Sequence, residues 1–237
     1  MNTFKKLALG LALTGLVAWQ AGATVVYNQP TGMVGNDLGG NSSYYEVGNE
    51  FQVNTPGSVT QIGMFNPSVS GFGASSISVA IFQDVSGTWS IVAGTLTTFT
   101  GSYSAGAYSG DSVMQSITPV SLGAGVYAIV AGGGGTTANP YWNSAEAGSG
   151  STPQTFNSVS GALSQVNQAQ WAFAGSPDPS LSAWPGSGNN QSLTSPYGAG
   201  TFDFAPVPEI GVFGTASAGL LGLIYVGRCG LRKRKLA

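Results

Sequence analysis

Between Thr24 and Pro206 large apolar residues recur at every second position in short runs. In Ile77-Ser78-Val79-Ala80-Ile81, and again in Phe51-Gln52-Val53 and Trp89-Ser90-Ile91, the alternation puts the bulky side chains on one face of a strand and predicts half-buried sheet. Val126–Ala131 is apolar at every position, as a strand covered on both faces is. Further runs at Val59–Phe65, Thr95–Phe99, Gln170–Ala174 and Thr201–Phe204 are bounded by clusters of Gly, Ser, Pro and Asn, and no segment keeps a helical spacing between caps. Many short strands without crossover helices predict an all-β body over 24–206, a single antiparallel β-sandwich of jelly-roll or immunoglobulin-like topology. Gly132–Pro153 and Gly175–Gly200, rich in Gly, Ser, Pro and Asn, are expected as long surface loops with Trp142 and Trp184 isolated in them.

Two longer apolar runs flank this body and follow a different logic. Leu7–Ala18 comes after Lys5 and Lys6 and before Ala21-Gly22-Ala23. That order of basic, apolar and small residues predicts a secretory signal helix over 1–23, cut after Ala23 by signal peptidase once the Sec machinery has engaged it, with Thr24 as the first mature residue. At the other end Ile210–Gly227 carries no charge and leads into Arg228 and the cluster Arg232-Lys233-Arg234-Lys235. At about 1.5 Å per residue this run makes a helix of roughly 27 Å, close to the hydrocarbon thickness of a bilayer. Cations on its C-terminal side hold that side in the cytoplasm, while the signal peptide exports the body. The expected tail therefore spans 207–237: a motif at 207–210, a transmembrane helix at 211–227 and a basic stop-transfer end at 228–237.

Charge sharpens the division. The chain of 237 residues has 7 bases and 9 acids, and from Leu7 to Gly227 there is no Lys, Arg or His. Trypsin therefore finds no cleavage site in the body, and digestion of the urea-unfolded chain is expected to leave it as one fragment on a denaturing gel. The absence of bases also removes phosphate clamps, Schiff-base chemistry and any electrostatic attraction for nucleic acid. With no His, and Cys229 as the sole cysteine beyond the tail helix, triads, Cys–His pairs, imidazole or thiolate zinc sites and internal disulfides are excluded from the body.

Carboxylates remain. Glu46 and Glu50 are the closest acids in sequence, but on an extended segment they stand about 13 Å apart, beyond the roughly 5–9.5 Å of a glycosidase pair, so the body is expected to be non-catalytic. Cofactors are expected to be none, with Ca2+ as the one candidate metal. Asp37, Glu46 and Glu50, near Asn36 and Asn41, offer the oxygen donors that a hard cation takes, although solvated loop acids are the favoured reading of them. Trp142 and Trp184, with Tyr141, Trp171 and Tyr197, offer flat rings that could stack on an exopolysaccharide, against the simpler reading that they are core.

Val207-Pro208-Glu209-Ile210, the short Gly- and Ala-rich apolar helix and the terminal Arg/Lys cluster together resemble the PEP-CTERM sorting signals of bacterial exosortase substrates. Ile210 stands where the second proline of that motif would be. The resemblance implies that a membrane-embedded cysteine protease recognises the tail, cleaves near the Pro-Glu pair and delivers the protein to the cell surface or extracellular matrix. The runs Phe51-x-Val53, Val59–Phe65, Val79–Phe82 and Leu122–Ile129 are similar to β-sandwich ectodomains of such sorted proteins. The alternatives are a permanent single-pass membrane anchor, which requires only hydrophobicity and positive charge, and a carbohydrate-binding surface protein.

Overall fold

The computed structural model describes residues 22–28, 45–66, 76–133, 155–166, 170–174, 176, 178–184 and 200–207. Its strands are β1 (Thr24–Val25), β2 (Tyr27–Asn28), β3 (Tyr45–Val53), β4 (Gly57–Phe65), β5 (Ser76–Val85), β6 (Thr88–Ile91) and β7 (Thr97–Thr100). They continue with β8 (Tyr108–Ser109), β9 (Ser112–Leu122), β10 (Gly125–Gly132), β11 (Thr155–Phe156), β12 (Leu163–Gln165), β13 (Gln170–Phe173) and β14 (Gly200–Pro206). The only helix among the described residues is a single 3-10 turn, Ala105–Ala107. The predicted signal and transmembrane helices lie outside the described residues, and within them no helix is long and apolar enough to cross a membrane.

All strand pairs are antiparallel, as the alternating patterns require. One sheet has the order β1-β14-β4-β9-β8, and a second has β12-β3-β10-β5-β6, with β13 also on β3 and β7 also on β5. A short third sheet pairs β11 with β2. The chain passes from one large sheet to the other between β3 and β4 and again between β9 and β10, so two strands of each sheet are paired as one long ribbon with the other two. Phe51, Ile81 and Ile129 of the second sheet and Ile62, Val113 and Phe202 of the first share one apolar core, in which Phe51 and Phe202 stand 4.8 Å apart. Burial of about a dozen large side chains in such a core, at roughly 1.5–3 kcal/mol each, is the main stabilising term in a body that has no disulfide and no basic residue.

The longest strand, β9, was not foreseen, because Pro119 interrupts its pattern. Between Val59 and Gln61 of β4 the partner residues on β9 jump from Val120 to Ser116, so the proline lies in a bulge where its missing N–H breaks no ladder bond. On the other side of β4 the pairing with β14 is also irregular, between Phe202 and Ala205. Asp203 fills this gap. Its Oδ1 accepts the backbone N–H groups of Thr60 and Gln61, each at 2.7 Å, and its Oδ2 accepts the Thr60 hydroxyl. A buried carboxylate thus substitutes for carbonyls that the bulge has moved away, and needs no cation.

Candidate functional site

On β3 the odd positions, including Val47, Phe51 and Val53, enter the shared core, which turns Glu46, Gly48, Glu50 and Gln52 to the opposite face of the sheet. A half-exposed strand would leave those glutamates in water. Instead both are buried: Glu46 is 0% exposed and Glu50 4%. The reading of these acids as solvated loop residues is therefore corrected, and over Glu46 the cause is a segment that packs across the outside of the sheet.

That segment is the strap 178–184, and its sequence explains its shape. Asp178 accepts the backbone N–H groups of Ser180 at 2.8 Å and Ser182 at 2.9 Å, together with both serine hydroxyls, the pattern by which an Asp fixes a tight turn. The hydroxyls of Ser180 and then Ser182 hold its carboxyl well below the usual carboxylate range. The turn throws Leu181 into a left-handed conformation (φ 57°), which is strained for a branched side chain, and buries its side chain.

Leu181 and Trp184 form a second apolar cluster with Ala80, Phe82, Ala128 and Val130. Two glycines make room. A Cβ on Gly132 would lie 2.7 Å from the Leu181 side chain, and one on Gly48 would lie 2.8 Å from the Trp184 ring. The Trp184 ring centre is 6.3 Å from that of Trp89 and 6.5 Å from that of Phe82, and the residue is only 5% exposed. Trp184, expected as an isolated loop aromatic, is thus packed against Phe82 and Trp89 with its ring covered. Trp171 sits on β13, partly buried and edge-on to Tyr45 at 5.2 Å.

The polar centre of this patch is Glu46. Its Oε1 accepts the Ala183 N–H at 3.2 Å, and the backbone N–H of Trp184 also points at the carboxyl. Its Oε2 is buried with no donor facing it, as is the Trp184 indole Nε1 with no acceptor. The group that does face Glu46 is the carboxyl of Asp178. Burial first, and the Asp178 charge after the opposing backbone hydrogen bonds, push the Glu46 carboxyl up to about 7. Glu50, on the same face of β3, accepts the Gln170 side-chain amide at 2.6 Å.

A neutral carboxylic acid beside an ionised one is the electrostatic arrangement of an acid–base pair, and here Glu46 is fully covered. Among the described residues no three acids gather to hold a metal. Asp37, Asn36, Asn41, Trp142, Tyr141 and Tyr197 lie outside the described residues, as do Ala21, Pro208, Glu209, Ile210 and the basic residues Arg228, Arg232, Lys233, Arg234 and Lys235. Ala23 and Val207, which border the body, are exposed.

Comparison with protein-family models, curated proteins and solved structures finds no match to this chain.

Proposed function

We propose that this chain is a non-catalytic bacterial cell-surface or matrix protein, exported by its signal peptide and sorted by an exosortase-like membrane protease through its C-terminal tail. The exported part is a single β-sandwich, and the ribbon formed by β3–β4 against β10–β9 favours jelly-roll over immunoglobulin-like topology.

The observation that carries this reading is the agreement between the folded unit and the two processing sites. Residues 21–206 form one compact unit. Its first strand starts at Thr24, the expected mature N-terminus, and its last ends at Pro206, one residue before the sorting motif. Thr24 pairs with Phe204, so the two ends of the body emerge side by side from the same end of one sheet. Cutting either junction severs no strand, and a tail in the membrane would hold the body by that end. The strand ends at Tyr45, Phe65, Ser76, Gly132 and Gly200 lie at the opposite end.

Intact-mass measurement of the protein from cell-surface and medium fractions tests the reading. The expected species begins at Thr24 and ends near Glu209. A species that keeps Arg232–Lys235 at the surface identifies a permanent anchor instead, and an uncut chain in the cytosol overturns export altogether.

A further inference from the structure

We propose that the strap 178–184 is a proton-operated latch: Glu46 and Asp178 share one proton while the strap is closed, and its loss releases Leu181 and Trp184 from the outer face of the second sheet.

Three features place the weakness at this contact. The strap brings one carboxyl against another where the protein has no cation to set between them, since no Lys, Arg or His occurs from Leu7 to Gly227. Two buried polar atoms, Glu46 Oε2 and Trp184 Nε1, are left without partners at the same contact. Leu181 is held in a left-handed conformation. Each of these costs free energy, and together they offset part of what burying Leu181 and Trp184 contributes. The remaining hold is short-range, the Ala183 and Trp184 N–H groups on Glu46 and two side chains seated over Gly48 and Gly132.

A proton on Glu46 removes its charge from beside that of Asp178 and cancels the repulsion. Asp178 is the member that stays ionised, because four donors from Ser180 and Ser182 stabilise its charge. Glu46 is the member that titrates. The other groups around it are few: Glu50 lies four residues along the same strand face, while the residues opposite Glu46 on β10 and β13, Gly132 and Ala172, carry no charge, and the Ser78 and Ala80 positions of β5 carry none either. Asp84 sits on the same face of β5, towards its other end. Every neighbouring charge is negative, so only the Ala183 and Trp184 N–H groups and the seating of Leu181 and Trp184 oppose the release. When ionised Glu46 faces Asp178, the strap lifts and uncovers an apolar shelf of Ala80, Phe82, Ala128 and Val130 beside the two glycines.

Hydrogen exchange of the full-length chain, corrected for the intrinsic effect of pH on exchange, reads the latch directly. Protection of the Ser182–Trp184 amides is expected to fall about tenfold or more between about pH 5.5 and pH 8.5, while Ala128–Val130 in β10, bonded on both sides, stays far better protected than the strap at both pH values. In Glu46→Gln the strap's protection is expected to be the same at both pH values. Protection in the unmodified chain that does not change with pH overturns the proposal, and this arm does not depend on the variant folding. So does a fall that persists in Glu46→Gln. Protection at high pH that returns only with about 5 mM calcium assigns the carboxyl pair to a cation site and overturns the proton latch.

Discussion

Asp203→Ala is expected to destabilise the body by about 2–6 kcal/mol, because it strips the acceptor from two part-buried backbone N–H groups at roughly 1–3 kcal/mol each. Those N–H groups, of Thr60 and Gln61, lie where β4 is irregular against both neighbours, so no carbonyl of β14 or β9 stands ready to replace the carboxylate. A loss of this size is a large share of the stability of an ordinary domain. Asp203→Asn keeps one acceptor oxygen and should cost about half as much. Urea unfolding at fixed pH, followed by tryptophan fluorescence, measures both. If Asp203→Ala unfolds within about 1 kcal/mol of the unmodified protein, the carboxylate is not what closes the bulge.

The second large effect is a dependence of stability on pH that runs against the usual direction for carboxylates. Glu46 titrates at about 7 in the folded protein against an ordinary value of 4.5, so folding favours its protonated form. Its contribution is fully present below pH 4.5 and is lost as pH rises through about 7. The loss is on the order of 2–3 kcal/mol, since each pH unit between the two values is worth about 1.36 kcal/mol and solvent beside the strap screens part of it. Asp178 acts in the opposite sense: its lowered value adds stability that disappears only in strong acid. The difference in unfolding free energy between the unmodified protein and Glu46→Gln isolates the Glu46 part. That difference should change across pH 4.5 to 7 and be flat above; a flat difference throughout would show that Glu46 does not titrate in this range.

The strands on either side of the core were legible for a local reason. Whether Ile77, Val79 and Ile81 share a face depends only on the two-residue period of an extended chain, and they do lie together in the core. The edges were less legible. Pro119 hid β9, since a proline in a strand is read as a break unless a bulge accommodates it.

The outer face of the second sheet was misread for a non-local reason. Nothing near Glu46 in sequence tells that it is covered, because the Ala183 N–H that binds it is 137 positions away. The same holds for Trp184, which sits in a glycine-rich stretch typical of surface loops yet fills the space that Gly48 and Gly132 leave open. The one local sign was Asp178-Pro179-Ser180-Leu181-Ser182, a turn-forming run with a single large apolar residue at its tip.

Alternation and composition are properties of the chain before it folds, and from them alone come the expectation of an antiparallel all-β body, which the described residues show, and the fact that this body carries acids but no bases. Which of those acids face water is settled only by the packed molecule, since burial depends on what lies above a strand and not on the strand. The same is true of the body's two ends, which leave one sheet edge together because the pairing of Thr24 with Phe204 joins residues that only the completed fold makes neighbours.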